Sequence, residues 1–214
     1  DWGADAALAD PTSAPIWQND LLGGDGDPTD GDAVQTGPFR RGQWSIVDSN
    51  GNLAGPLTRQ FGRGVASVPS QAEIDAVLMI TPYDQSPWNT SAYPSFRNSL
   101  EGWYPNSPGL HNRGHVWIGG AMLPMTSPND PAFFFHHCMV DKVWADWQDA
   151  NGINSYEPQT ENIPYQSFSL PMHATLEQGV TPESVMDVTL LGYTYQGEGS
   201  RPRPPQFFSI SIDA

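Results

Sequence analysis

Four of the five histidines, His111, His115, His136 and His137, fall in one stretch that opens HNRGH and closes DPAFFFHHCMVDKVWADWQ. His111 and His115 are four apart, a spacing that stacks two side chains on one helix face. The doublet His136-His137 follows in a second, strongly apolar helical segment. Two helices that converge two or three imidazoles hold a transition metal, and neutral imidazole suits Zn, Cu, Fe or Ni. The zinc-protease pattern H-E-x-x-H needs a Glu where Asn112 stands. Zinc fingers need several cysteines, and Cys138 is the only one. Di-iron bundles place Glu three residues before His, and neither His115 nor His137 has one there. A site built only of imidazoles among aromatic residues points to copper.

The elements that must position these residues are legible in part. Ser70 and Glu73 form a capping box, with Ile74, Val77 and Leu78 following at helical spacing up to Pro82. A second helix is expected near 93–103, with Phe96, Leu100 and Trp103 on one face and Glu101 beside it. The third carries HNRGHVWI and stops at Gly119-Gly120. The fourth starts with Ser127, Asn129 or Asp130 as cap and Pro131 in the first turn. Its Phe133, His137, Val140, Trp144 and Trp147 run along one face, and Asn151-Gly152 closes it. That spacing places His137 inside the buried stripe and His136 on another face. Cys138 reads as a buried, inert thiol. Trp44–Val47, Asn50-Gly51 and Leu53 read as a short hairpin. Thr181-Pro182-Glu183 caps a short helix, and residues 192–195 read as the end of a strand. Asp25, Asp27, Asp30 and Asp32 miss the spacing of a calcium loop and read as a solvated turn.

The 214 residues suffice for one domain with a substantial core. With 21 Gly and 21 Pro the chain is rich in loops, while 8 Trp, 9 Phe and 7 Tyr provide the apolar surface that a folded core needs. A net charge of −15 argues against nucleic-acid partners and anionic membrane surfaces. No apolar run is long enough to cross a membrane. The chain opens at Asp1-Trp2 without Met, as a processed product or fragment would.

H-N-R-x-H-V-W-x-G-G, then S-P-N-D-P-x-F-x-x-H-H-x-x-x-D-K-x-W, resembles the second copper-binding region of tyrosinases, particularly the bacterial type. The family signature is matched at Asp130, Pro131, Phe133, Phe134, His137 and Asp141. Leu-Glu-Gly-Trp at 100–103, Gly-Pro-Phe at 37–39 and Tyr-x-Tyr at 193–195 resemble further segments in the same order. The resemblance covers residues 1–196 and leaves 197–214 as a C-terminal extension. It implies a mainly α fold: the second half of an antiparallel helix-bundle core, wrapped in long loops with a few short strands.

The resemblance also implies roles. His111, His115 and His137 would ligate one copper of a pair, while His136 supports nearby structure. Glu101 and Asn112 would work through an ordered water to deprotonate a monophenol, since a phenol of pKa about 10 must lose its proton before binding copper well. Phe133 would pack beneath the copper pair, and Met125 and Val116 would line the pocket mouth. Asp141 would orient His137 from behind or form a surface ion pair. Secretion or an extracellular location fits the resemblance, with the cytoplasm as the other possibility.

Tyrosinases hold two coppers, each on three histidines. Beyond this cluster the chain has only His173, so the first copper would need a separate chain or an N-terminal fragment. The implied chemistry is ortho-hydroxylation of monophenols and oxidation of o-diphenols to o-quinones by O2. The rival readings are a diphenol or o-aminophenol oxidase without the hydroxylase step, a haemocyanin-like oxygen carrier, and a mononuclear metal-binding module.

Overall fold

The computed structural model describes residues 1–103, 109–164, 166–172 and 179–195. His173, the proline-rich stretch 201–205, the alternating segment 207–214 and the extension 197–214 all lie outside the described residues. The fold is mainly helical, with two small antiparallel hairpins.

Helix α1 spans Trp2–Ala6, and Asp1 caps it by accepting from the Ala4 N–H. A long loop region follows, holding β1 (Gly26–Asp27) paired with β2 (Ala33–Val34) and β3 (Ser45–Val47) paired with β4 (Leu53–Pro56). The second hairpin is the one expected around Asn50-Gly51, and Gly51 takes the left-handed backbone that the turn requires (φ 81°). Helix α2 spans Gln71–Leu78 with both halves of the Ser70–Glu73 capping box formed. Helix α3 covers Phe96–Glu101, shorter than the sequence suggests. Gly102 at φ 95° ends it, and a Cβ there would stand 2.5 Å from the Gly109 nitrogen, so two chain segments meet backbone to backbone. Trp103, expected on the apolar face, is consequently exposed.

Helices α4 (Leu110–Ile118) and α5 (Ala132–Asn151) form the centre of the molecule. Gly119 and Gly120 stop α4 as expected; a Cβ on Gly120 would meet the Thr58 carbonyl oxygen at 2.3 Å. Gly152 ends α5 at φ 91°. The α5 start is capped by Asp130, which accepts from the Ala132 N–H at 2.9 Å. The preceding residue, Asn129, fastens the β3 hairpin to this point by exchanging hydrogen bonds with Val47. Helix α6 (Pro182–Val185) has the Thr181 cap in place. Residues 192–195 do not form the expected strand; the Tyr193 and Tyr195 hydroxyls instead dock on Asp141 of α5.

Two apolar clusters flank the α4–α5 pair. One joins Trp17, Phe61, Val68, Trp117 and Met122, with Phe61 stacked on Trp117 at 4.9 Å. The other joins Trp2, Ile74, Phe96, Leu100, Val143 and Trp147. Of the stripe read from the sequence, Trp147 is buried as expected, while Ala132, His136 and Val143 are buried in place of Phe133, His137 and Trp144, each one position earlier. The periodicity favours Phe133 and His137, but α4 overrides it by packing Gly114 directly on His136. Phe133, His137, Val140 and Trp144 are left half-buried, and Cys138 is exposed, not buried. Among the described residues, no helix is long and apolar enough to cross a membrane.

Candidate metal centre

Helices α4 and α5 bring all four histidines of the stretch together, with one ring nitrogen of each lying within 4.8 Å of the others. His115 Nε2 is 3.3 Å from His137 Nε2. The rings of His111 and His115 meet edge to face at 4.6 Å, and those of His111 and His137 at 5.0 Å.

Hydrogen bonds fix which nitrogen is available on three of the rings. His111 Nδ1 faces two acceptors, Asn112 Oδ1 at 3.1 Å and Glu101 Oε2 at 3.2 Å. His115 Nδ1 donates to the Met122 carbonyl at 2.7 Å. An acceptor at Nδ1 places the proton there and leaves Nε2 with its lone pair. The glycine stop after α4 matters here, because it turns the chain back so that the Met122 carbonyl reaches His115. His136 differs. The Trp2 indole N–H donates to its Nδ1 at 3.2 Å, and its Nε2 lies 3.0 Å from the His111 carbonyl.

Burial lowers the pKa of each imidazole, and neighbouring rings add to the effect for His115, His136 and His137. His137 is brought down to about 4 and His136 to about 2. The cluster is therefore neutral at pH 7, the form in which imidazole binds metals. Burial acts oppositely on Glu101 and raises its carboxyl pKa, against the opposing charges of Arg97 and His115.

The other expected site residues fall in different places. Phe133 stacks on His137 with ring centroids 3.9 Å apart. Glu101 and Asn112 meet at His111, and Asn112 Nδ2 also donates to the Gly102 carbonyl at 3.2 Å. Val116 is half-buried and packs closely against Gly64. Met125 is 98% exposed. Asp141 Oδ2 accepts from Tyr193 at 2.7 Å and Tyr195 at 2.5 Å. Sequence reasoning missed Trp2, Gly114 and the Met122 carbonyl. Only Gly114 had a local signal, as a small residue between the two histidines of HNRGH.

The nitrogens fit a metal by a simple geometric test. Two nitrogens, each about 2.0–2.1 Å from one tetrahedral ion, stand about 3.3 Å apart, and the His115–His137 pair is at 3.3 Å. The fold and site thus define a helical protein with a group of imidazoles able to hold a transition metal. A family model described as the common central domain of tyrosinase matches residues 1–150. A tyrosinase of Streptomyces antibioticus is 44% identical over 88% of this chain and 66% of its own length. A tyrosinase of Streptomyces glaucescens is 45% identical over 74% of this chain and 55% of its own length. A grixazone synthase of Streptomyces griseus is 37% identical over 91% of this chain and 70% of its own length. The chain belongs to the tyrosinase family, whose members are copper enzymes. It spans 66% and 55% of the lengths of the two tyrosinases named.

Proposed function

We propose that this chain supplies the second-copper half of a phenol oxidase that uses O2, with His111, His115 and His137 as the ligands of one copper. The observation that carries this reading is the convergence of three neutral imidazoles from α4 and α5, with the lone pairs at Nε2 of His111 and His115 set by their hydrogen bonds. Bound copper would supply the redox partner for O2 and a Lewis acid for the phenol oxygen. The remaining residues act around it. Phe133 lies flat on His137 and restricts its ring. Glu101 and Asn112 converge on one edge of His111, and a half-buried carboxylate with a raised pKa is a better proton acceptor than a fully solvated one. That pair would take the proton from a monophenol hydroxyl at Glu101 Oε2, so the reading extends to ortho-hydroxylation of monophenols as well as oxidation of o-diphenols to o-quinones.

The same reading assigns the first copper to sequence outside this chain, either preceding it or on a separate polypeptide. Three features support this. The chain falls short of the full length of its relatives. Of its five histidines, the reading uses three as ligands of one copper and one, His136, beside them, which leaves a single histidine where a second copper needs three. The Phe133–Trp144 face of α5 is only half-buried, while Phe134 and Phe135 are exposed.

The test combines copper stoichiometry with activity. Purified alone, the chain should bind one copper through imidazoles and oxidise neither tyrosine nor L-DOPA. Co-production with the segment or polypeptide that carries the first copper site should bring two coppers and both activities. Full activity of the chain alone would refute the two-part reading. Oxidation of L-DOPA without tyrosine would leave a diphenol oxidase.

A further inference from the structure

The structure places four imidazoles within metal-binding distance of one another, yet a working centre needs an open position for oxygen or substrate. Four imidazoles on one ion would fill a tetrahedral shell. Distance does not exclude His136, since its ring meets that of His115 at 4.8 Å and that of His111 at 5.3 Å. What sets it apart is hydrogen bonding. Trp2 Nε1 can only donate, so the His136 Nδ1 lone pair is occupied. The ring proton must then sit on Nε2, which donates it to the His111 carbonyl. No lone pair remains for a metal.

We propose that Trp2 is the residue that keeps this site at three imidazoles: by locking the His136 tautomer it withholds the fourth, and it makes His136 a positioning residue that anchors the first turn of α4 beneath His111. The inference rests on the ligand set of the proposed function.

Three further features hold this arrangement in place. Trp2 is buried in the apolar cluster that also holds Ile74, Phe96, Val143 and Trp147, which restrains its indole. The His136 ring is buried, and the two rings sit 5.1 Å apart. Gly114 leaves the room for His136 on the α4 side: a Cβ there would stand 2.1 Å from Cε1 and 2.5 Å from Nδ1. The ring is therefore clamped between a donor, an acceptor and a helix backbone.

The test uses the full chain loaded with one equivalent of Cu2+, its coordinated imidazoles counted by pulsed EPR and its affinity measured by competition with a chelator. Wild type should show three imidazoles. Trp2→Phe removes the N–H while keeping an aromatic ring in the cluster, and should show four, with affinity raised about tenfold. His136→Gln and the double variant should both show three, so the gain in the single Trp2 variant must come from His136. Four imidazoles in wild type, or three in Trp2→Phe, would overturn the inference while leaving a metal site standing. Copper bound without imidazole nitrogens would overturn the ligand reading and this inference together. A second measurement needs no variant. In long-range 1H–15N spectra of the unmodified chain, one equivalent of Zn2+ should shift one nitrogen each of His111, His115 and His137. Both nitrogens of His136 should stay in place, and a His136 nitrogen moving into the metal-bound range would overturn the inference.

Discussion

Arg59 grips Asp130 through two parallel hydrogen bonds, Nε to Oδ2 and Nη2 to Oδ1, each 2.8 Å, with both side chains fully buried. The guanidinium also donates to the carbonyls of Leu22 and Gly23 and lies 5.3 Å from the Trp17 ring. Asp130 in turn caps α5 through the Ala132 N–H. One ion pair thus joins the N-terminal loops, the loop between β4 and α2 and the start of the helix that carries His137. Removing one partner of a buried pair leaves an uncompensated charge, and typically costs about 3–5 kcal/mol. Asp130→Ala should therefore lose about that much stability in urea titrations monitored by Trp fluorescence. A loss below about 1 kcal/mol would show that the pair is solvated.

The signature aspartate of this motif is visible in the sequence, but its partner is not. Local signals predict α2, α4, α5, their caps and the glycine stops, because hydrogen bonds within a few residues decide those features. They also place the histidines on two helices. The face of α5 that is buried depends on a contact between residues distant in sequence, Gly114 and His136. The periodicity alone favours Phe133 and His137, which a neighbouring helix leaves half-covered. Trp2 and the Met122 carbonyl are equally hidden: each reaches its histidine through tertiary packing and carries no motif of its own. The expectation of a buried Cys138 fails for the same reason, since an apolar helix has an outside that only the packing defines.

The contact at Gly114 yields a prediction opposite in sign to helix propensity. In an exposed helix interior, Gly to Ala gains up to about 1 kcal/mol. Here the new methyl meets the His136 ring at 2.1 Å. Overpacking of this kind costs about 1–3 kcal/mol. Gly114→Ala should lower stability by about that amount and weaken copper binding, while Gly64→Ala, whose nearest contacts are on Val116 and not on a histidine, should spare copper affinity. Thermal unfolding and chelator competition on the two variants measure both effects. A Gly114→Ala protein as stable as wild type would mean that the α4–α5 contact is looser than the geometry implies.

Glu73 gives a pH-dependent prediction. Burial alone would raise its pKa, but the Ser70 N–H and hydroxyl and the Arg113 guanidinium outweigh it, holding the carboxyl below its ordinary value of 4.5. A folded pKa below the unfolded one means that the stabilisation is complete above pH 4.5 and fades as pH falls through the folded value. Glu73→Gln should therefore be less stable than wild type at pH 7, with the difference shrinking steadily below about pH 4.5. Ser70→Ala, which removes the reciprocal half of the box, should cost about 1 kcal/mol. A stability gap between Glu73→Gln and wild type that grew in acid would show that the folded protein raises this pKa instead of lowering it.

Asp141 tests whether a carboxylate four residues past His137 orients that ring or serves another element. Its hydrogen bonds in the described structure come from the Tyr193 and Tyr195 hydroxyls. Burial comes first among the causes that raise both tyrosine pKa values, and the carboxylate they donate to adds to it, so both phenols stay protonated and keep donating well above neutral pH. This geometry makes Asp141 a clamp that ties the 186–195 segment to the outside of α5. Asp141→Ala should speed amide exchange in residues 188–195 and open them to proteolysis, and Tyr193→Phe with Tyr195→Phe should reproduce the effect. Copper affinity should change less than about threefold, because loss of a residue that orients a metal ligand typically costs 10–100-fold. A loss in that larger range for Asp141→Ala, absent from the double tyrosine variant, would assign the carboxylate to His137 after all.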